Sequence, residues 1–105
     1  MIVAGSPSGA ASRPAVEAER SVRIPNHAGL HARPCHAIVT TASGFESDLR
    51  VACGDREVNG RSILELMTLC APCESILSFR ARGRDAQARV ERLAGLVEAG
   101  FGEQD

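Results

Sequence analysis

Residues 21–44 read SVRIPNHAGLHARPCHAIVTTASG, and this stretch sets the pattern of the fold. Polar and apolar residues alternate over residues 21–24, which predicts a short half-buried strand. The next six residues contain Pro, Asn and Gly and predict a loop. A helix is expected to begin at His31, because apolar residues then recur at helical spacing at Cys35, Ile38, Val39 and Ala42. Ser43 and Gly44 end this helix.

The same kinds of pattern continue towards the C-terminus. Residues 48–53 alternate, Gly54 and Asp55 predict a hairpin turn, and residues 56–58 predict a shorter returning strand. Ser62 begins a second helix that ends at Pro72. Its first four residues, Ser-Ile-Leu-Glu, match a capping box. In this motif the Ser62 hydroxyl accepts from the backbone amide of Glu65, and the Glu65 side chain reaches back to the amide of Ser62. The predicted apolar face of this helix consists of Ile63, Leu66, Met67 and Cys70.

Residues 75–82 predict a fourth strand, in which Leu77, Phe79 and Ala81 oppose a more polar face. Asp85 is the predicted N-cap of a third helix, and Gly100 ends it. The core face of that helix is predicted to consist of Ala86, Val90, Leu93, Ala94 and Val97. The order β-α-β-β-α-β-α predicts an α+β fold, with an antiparallel sheet and all three helices on one side.

Composition narrows the classes of function. The chain has 105 residues and a net charge of −1, so it lacks the net positive charge that would attract nucleic acid or an anionic membrane. All 12 basic residues are arginine, which excludes a Schiff-base or P-loop lysine. Residues 1–19 are predicted to be a flexible N-terminal extension, since they are small, Pro-containing and aperiodic. No signal peptide or membrane span is evident, so a cytoplasmic location is expected.

The chemistry is predicted to lie at His31. A residue at a helix N-cap sits beside unpaired backbone donors that attract phosphate. A neutral imidazole can attack phosphorus, and Arg33 is placed to bind the transferred group by charge-assisted hydrogen bonds. Gly29 leaves room for a close approach. The alternative from the residues alone is that His31 is a plain cap or a solvated side chain.

A resemblance to a known family adds to this interpretation. IPNHAGLHARP at residues 24–34 resembles the active-site loop of HPr, the histidine-containing phosphocarrier of the bacterial phosphoenolpyruvate-dependent phosphotransferase system. VNGRSIL at residues 58–64, LMTL at 66–69, RGRD at 82–85 and GFGE at 100–103 also match in place. The resemblance spans residues 21–103. It implies an HPr-like open-faced β-sandwich, with a phosphocarrier domain over residues 20–105.

The resemblance also implies roles for individual residues. His31 would be phosphorylated on Nδ1 by phospho-enzyme I, Arg33 would assist transfer, and IIA proteins would receive the phosphoryl group. The protein would be a carrier rather than an enzyme, without cofactor or metal, and is expected to be a monomer. His36 is predicted to border the docking surface for these partners, with an ordinary exposed residue as the alternative. The implied apolar docking patch consists of Ile63, Leu64 and Met67, of which Leu64 is expected to be the more exposed.

Ser62 resembles the family's regulatory serine, which HPr kinase/phosphorylase modifies where that enzyme exists. Phosphate there would add negative charge beside the docking patch. The alternative is a capping serine without regulation. A regulatory binding module controlled by Ser62 is therefore the second hypothesis for function.

The four cysteines raise a third hypothesis, a thiol-redox or zinc protein. Cys70 and Cys73 form a C-x-x-C motif where the family usually has small residues. This pair follows a helix rather than preceding one, which disfavours the thiolate of a dithiol catalyst. A second closely spaced ligand pair for zinc is missing. Packing is the predicted role for Cys35, Cys53 and Cys70.

Overall fold

The structure is a computed structural model that describes residues 17–102. Its elements follow the predicted β-α-β-β-α-β-α order, and a short 3₁₀ turn at Gly100–Gly102 comes last. Their bounds are β1 Glu17–Arg23, α1 Ala32–Ala42, β2 Asp48–Cys53, β3 Arg56–Asn59, α2 Ile63–Met67, β4 Ile76–Arg82 and α3 Ala86–Glu98.

The four strands form one antiparallel sheet in the order β1-β4-β2-β3. The turn at Gly54 and Asp55 joins β2 to β3 as predicted. Alternation along β4 is also confirmed, since Leu77, Phe79 and Ala81 are buried while Arg80 and Arg82 are exposed. On the solvent side Arg80 pairs with Glu19 and Glu57, and Arg82 pairs with Glu17.

The opposite face of the sheet carries the helices and the core. Helix α3 packs on β1 and β4, and α1 packs against both α2 and α3. The predicted core face of α3 is confirmed, because all of its residues are buried: Ala86, Val90, Leu93, Ala94 and Val97. In α1 the buried residues include Cys35, Ile38 and Ala42, whereas Val39 is half-buried at the edge of the core.

The first strand begins earlier than the alternation predicted. Glu17, Ala18 and Glu19 pair with β4, so residues 17–19 belong to the sheet and not to the predicted extension. Only Ala18 of these three is buried. The small alanine gave too weak an apolar signal, and pairing with β4 rather than local pattern decided the start of β1. Residues 1–16 of the predicted extension lie outside the described residues.

The second helix is shorter than predicted and ends at Met67. Leu66 is buried and Ile63 half-buried, but Cys70 is exposed with a φ of 50°, so the expectation that Cys70 packs in the core was wrong. Pro72 disfavours helical backbone at the residue before it, and the chain leaves the helix a few residues ahead of that point. Cys53 is half-buried, and only Cys35 of the four cysteines is fully inside.

Two predicted caps differ in detail from the expectation. Ser62 Oγ accepts from Glu65 N at 3.1 Å, as predicted, but Glu65 Oε1 accepts from Asn59 N at 2.9 Å rather than from the serine amide. Asp85 stands at the N-cap of α3 without capping it. Its carboxylate instead accepts from the amides of Glu46 and Ser47 at 2.8 and 2.9 Å, because the loop before β2 lies against the start of α3.

Arg89 is a buried charge that the sequence pattern did not reveal. Its side chain is fully buried in α3, where it donates to Ala42 O at 2.9 Å and to Ser47 Oγ at 3.1 Å. Burial lowers the pKa of this guanidinium from its usual value, and nearby Arg61 lowers it further. Arg89 thereby ties the C-terminal end of α1 to α3.

Candidate functional site

His31 occupies the position that the sequence predicted, the N-cap of α1. Its backbone is extended, with φ −122° and ψ −166°, and its side chain does not cap the helix. The first helical bond runs from Cys35 N to His31 O at 3.0 Å. The half-buried imidazole therefore stands at the start of an 11-residue helix, where backbone amides lack partners within the helix and an anion is favoured.

The loop before His31 is tightly turned and braced. Gly29 has a φ of 72°, and its amide donates to Asn26 O at 3.0 Å. Leu30 is buried and its amide donates to Ala71 O at 2.8 Å. A Cβ at Gly29 would lie 2.5 Å from that same Ala71 oxygen, so the glycine allows the two segments to touch. The loop is thus held by the chain that follows α2.

Asn26 is a second anchor of the loop, which sequence reasoning missed. Only 1% of the residue is exposed, and its Nδ2 donates to Gly100 O at 2.8 Å. This bond joins the start of the His31 loop to the 3₁₀ turn at the end of the described chain. An asparagine in a Pro- and Gly-containing loop is ordinary, so no local signal distinguished it.

Arg33 lies in the first turn of α1, two residues after His31, and its side chain is exposed. Pro34, which follows, is buried and fits the first turn because its missing N–H has no helical partner there. The sequence therefore brings an imidazole, a helix N-terminus and a guanidinium together within a single turn. Such a set can accept and bind a phosphoryl group.

The predicted docking residues lie on the neighbouring helix and on α1. Leu64 is 78% exposed and Met67 is 40% exposed, while Ile63 is half-buried. The expectation that Leu64 is the most exposed of the three is confirmed. His36 is exposed on α1, which packs against α2.

Ser62 is half-buried at the N-cap of α2, directly before these docking residues. Its hydroxyl is engaged as an acceptor by the Glu65 amide. The exposed Glu65 carboxylate stands beside it and bonds to the Asn59 amide. The chain thus carries a fixed negative charge next to the serine.

Among residues 17–102, no group of three or more His, Cys, Asp or Glu side chains is arranged to hold a metal ion. No helix in the same range is long and apolar enough to cross a membrane.

Comparison with known proteins places this geometry in a family. Residues 18–99 match the family model described as PTS HPr component phosphorylation site. The phosphocarrier protein HPr of Neisseria meningitidis serogroup A is 36% identical over 85 residues, covering 81% of this chain and 96% of the relative. The phosphocarrier protein NPr of Shewanella violacea is 32% identical over 85 residues, covering 81% and 93%.

Solved structures agree with the sequence relatives. A crystal structure of HPr from Thermoanaerobacter tengcongensis has a TM-score of 0.78 and 35% identity, covering 84% of this chain and 99% of that one. A crystal structure of an HPr dimer from the same organism has a TM-score of 0.65 and 36% identity, covering 78% and 94%.

A sheet with helices on one face and a histidine at the N-terminus of its first helix defines a small phosphocarrier domain. Proteins of this class carry a phosphoryl group and are not enzymes themselves. The chain belongs to the HPr/NPr family of phosphocarriers of the phosphotransferase system.

Proposed function

We propose that this chain accepts a phosphoryl group from phospho-enzyme I on Nδ1 of His31 and passes it to IIA proteins of a sugar phosphotransferase system. The observation that carries the proposal is the placement of His31. It lies at the extended N-cap of α1, and Arg33 follows in the first turn of the same helix.

The transfer is a displacement at phosphorus. The Nδ1 lone pair of neutral His31 forms the new N–P bond as the bond between phosphorus and the donor group breaks. Arg33 compensates the charge of the arriving phosphoryl group with charge-assisted hydrogen bonds, and the N-terminus of α1 adds its positive dipole end. The reverse displacement on the acceptor protein returns His31 to its neutral form.

Exposed apolar residues support brief docking of more than one partner. Leu64 and Met67 present apolar surface on α2, and His36 is exposed on the adjoining α1. A small apolar patch with polar surroundings is typical of a transient interface. We propose that the carrier acts as a monomer, since a dimer formed through this patch would cover the surface that each partner needs. We also propose that it works in the cytoplasm.

The direct test is incubation with enzyme I and radiolabelled phosphoenolpyruvate. The protein is expected to acquire a label that is labile in acid and stable in alkali, and His31→Ala is expected to abolish it. His27→Ala is the matched control, because it removes an exposed histidine of the preceding loop to which no docking role is assigned, and it should retain the label. Label that survives His31→Ala contradicts the assignment.

Arg33 is tested in the same assay. Arg33→Ala is expected to lower the rate of phosphoryl transfer by about tenfold or more, since a positioned cation stabilises charge in the transition state. Arg92→Ala, on the exposed side of α3, is the control for loss of a surface charge. Equal rates for both variants would remove Arg33 from the proposed machinery.

A regulatory binding module controlled by Ser62 is the second candidate. The observation that favours it is the half-exposed Ser62 hydroxyl directly before the docking residues. It predicts that Ser62→Asp changes partner binding strongly while transfer flux in the wild-type protein is small. High transfer flux with unchanged binding of the Ser62→Asp variant favours the carrier.

A further inference from the structure

The C-x-x-C segment, residues 70–73, touches the proposed site without a role in phosphoryl transfer. Cys70 is exposed and Cys73 is half-buried. Cys35 differs from both, because it is buried and its burial raises the pKa of the thiol to about 11. A thiol in that state is protonated at neutral pH and chemically inert. Cys70 and Cys73 are therefore a closely spaced pair of accessible thiols.

The backbone of this segment supports the loop that carries His31. Ala71 O accepts from Leu30 N at 2.8 Å, one residue before the histidine. Gly29 packs so closely on the segment that an added Cβ would lie 3.0 Å from Pro72 Cα and 3.1 Å from Cys73 N. Movement of residues 70–73 would therefore displace the residues next to His31, because closely packed backbone segments leave no free space between them.

The two thiols make separate contacts. Cys70 Sγ lies 3.7 Å from Met67 O, and Cys73 Sγ lies 3.8 Å from Pro25 O in the His31 loop. Cys70 also has a left-handed backbone, with φ 50°, which is strained for a residue with a Cβ. Joining the two sulfur atoms replaces both contacts, so a disulfide removes the one that Cys73 Sγ makes with Pro25 O in the His31 loop.

We propose that Cys70 and Cys73 form a reversible intramolecular disulfide that slows phosphoryl acceptance by His31. This inference rests on the proposed function. One thiolate attacks a disulfide oxidant such as glutathione disulfide and forms a mixed disulfide, releasing one glutathione thiolate. The second cysteine displaces the other glutathione, so that two S–H bonds are lost, one S–S bond forms and the oxidant is reduced to two thiols.

The position of the pair after α2 suits this role. A dithiol catalyst needs an activated thiolate at a helix N-terminus, whereas a slow regulatory exchange does not. Transient disulfides are the form that such bonds take in a reducing compartment. The reduced protein, with the Leu30–Ala71 bond intact, is the form that accepts phosphate.

The experiment compares the full chain treated with glutathione disulfide and with dithiothreitol. Peptide mass spectrometry locates the disulfide, and labelling by enzyme I and phosphoenolpyruvate gives the rate of His31 phosphorylation. Oxidation is expected to link Cys70 to Cys73 and to lower the rate by about tenfold or more, because small misplacements of reacting groups are costly. Dithiothreitol should restore the rate.

Matched variants separate the internal disulfide from other thiol chemistry. Cys70→Ser/Cys73→Ser is expected to keep the reduced rate after oxidation, and Cys53→Ser to behave like the wild type. Amide hydrogen exchange at Leu30 should become faster in the oxidised protein as its bond to Ala71 opens. A glutathione adduct on Cys73→Ser that slows transfer as strongly as the wild-type disulfide would overturn the proposal.

The two proposals fail in different ways. If the reduced protein accepts no phosphate on His31, the proposed function is wrong. If the reduced protein accepts phosphate but no link between Cys70 and Cys73 forms, or the link leaves the rate unchanged, the inference alone is wrong.

Discussion

Gly29 is the residue on which the placement of His31 depends most directly. Its φ of 72° lies in the left-handed region, and its missing Cβ lets the His31 loop touch Ala71 O. Both features exclude a side chain, the first through backbone strain and the second through contact with fixed backbone. The conformation of one glycine thus couples α1 to the segment after α2.

Gly29→Ala is expected to destabilise the fold by more than about 1 kcal/mol and to slow phosphorylation of His31. Gly54→Ala is the matched control, because Gly54 also has a positive φ, 64°, but a Cβ there meets nothing within 4 Å. It should cost about 1 kcal/mol of stability and leave transfer unchanged. Urea unfolding and the labelling assay measure the two effects, and identical behaviour of the variants would show that the contact with Ala71 is unimportant.

Helices α1 and α3 are connected by a buried cation. Arg89 is oriented from α3 towards Ala42 O, at the C-terminal end of α1, where carbonyls have no helical partner. The guanidinium also lies 5.9 Å from the ring centre of Phe45. The favourable interaction with a helix C-terminus and an aromatic face offsets part of the cost of burying the charge.

Arg89→Met keeps most of the buried volume and removes the hydrogen bonds. It is expected to lower the free energy of unfolding by about 1–3 kcal/mol, because Ser47 Oγ loses the Arg89 donor and Ala42 O keeps only the bond from Phe45 N. Arg92→Met, on the exposed side of the same helix, should stay within about 0.5 kcal/mol of the wild type. The urea midpoints of the two variants and of the wild type measure these differences in stability. An equal or higher stability of Arg89→Met would mean that an apolar contact replaces the network without loss.

The described residues form one core, so the titration of a single group changes the free energy of unfolding of the domain as a unit. Asp85 is such a group, because hydrogen bonds from the Glu46 amide and from Ser47 hold its pKa below the usual value. A carboxyl whose pKa is lower in the folded state stabilises the fold above the unfolded pKa of about 3.9. This stabilisation is lost as the pH falls through the lower folded value.

Asp85→Asn is therefore expected to unfold with a weaker pH dependence than the wild type below about pH 4. At neutral pH the variant should be less stable, since it lacks the charged acceptor. Asp55→Asn, at the exposed β2–β3 turn, serves as the control for the loss of a surface carboxylate. Urea midpoints measured across the acid range test this, and parallel profiles for Asp85→Asn and the wild type would contradict it.

Much of the molecule was predictable from local pattern. The alternation in β4 and the apolar spacing in α3 identified buried residues correctly, because a side chain's face follows from the period of its element. The start of α1 at His31 was predictable as well, since a proline and an apolar stripe mark a helix beginning. The start of β1 and the end of α2 were not, because strand pairing and the turn before Pro72 decided them.

Local pattern was thus enough to predict the order of elements, the face that most of them bury, and the position of His31 and Arg33 at the start of one helix. These follow from short-range periodicity and from the backbone limits of proline and glycine. Three features depend on packing between distant segments: Ala71 braces the His31 loop, Asn26 bonds to Gly100, and Arg89 is buried. Those contacts join residues far apart in the chain, and local spacing carries no information about which distant groups will meet.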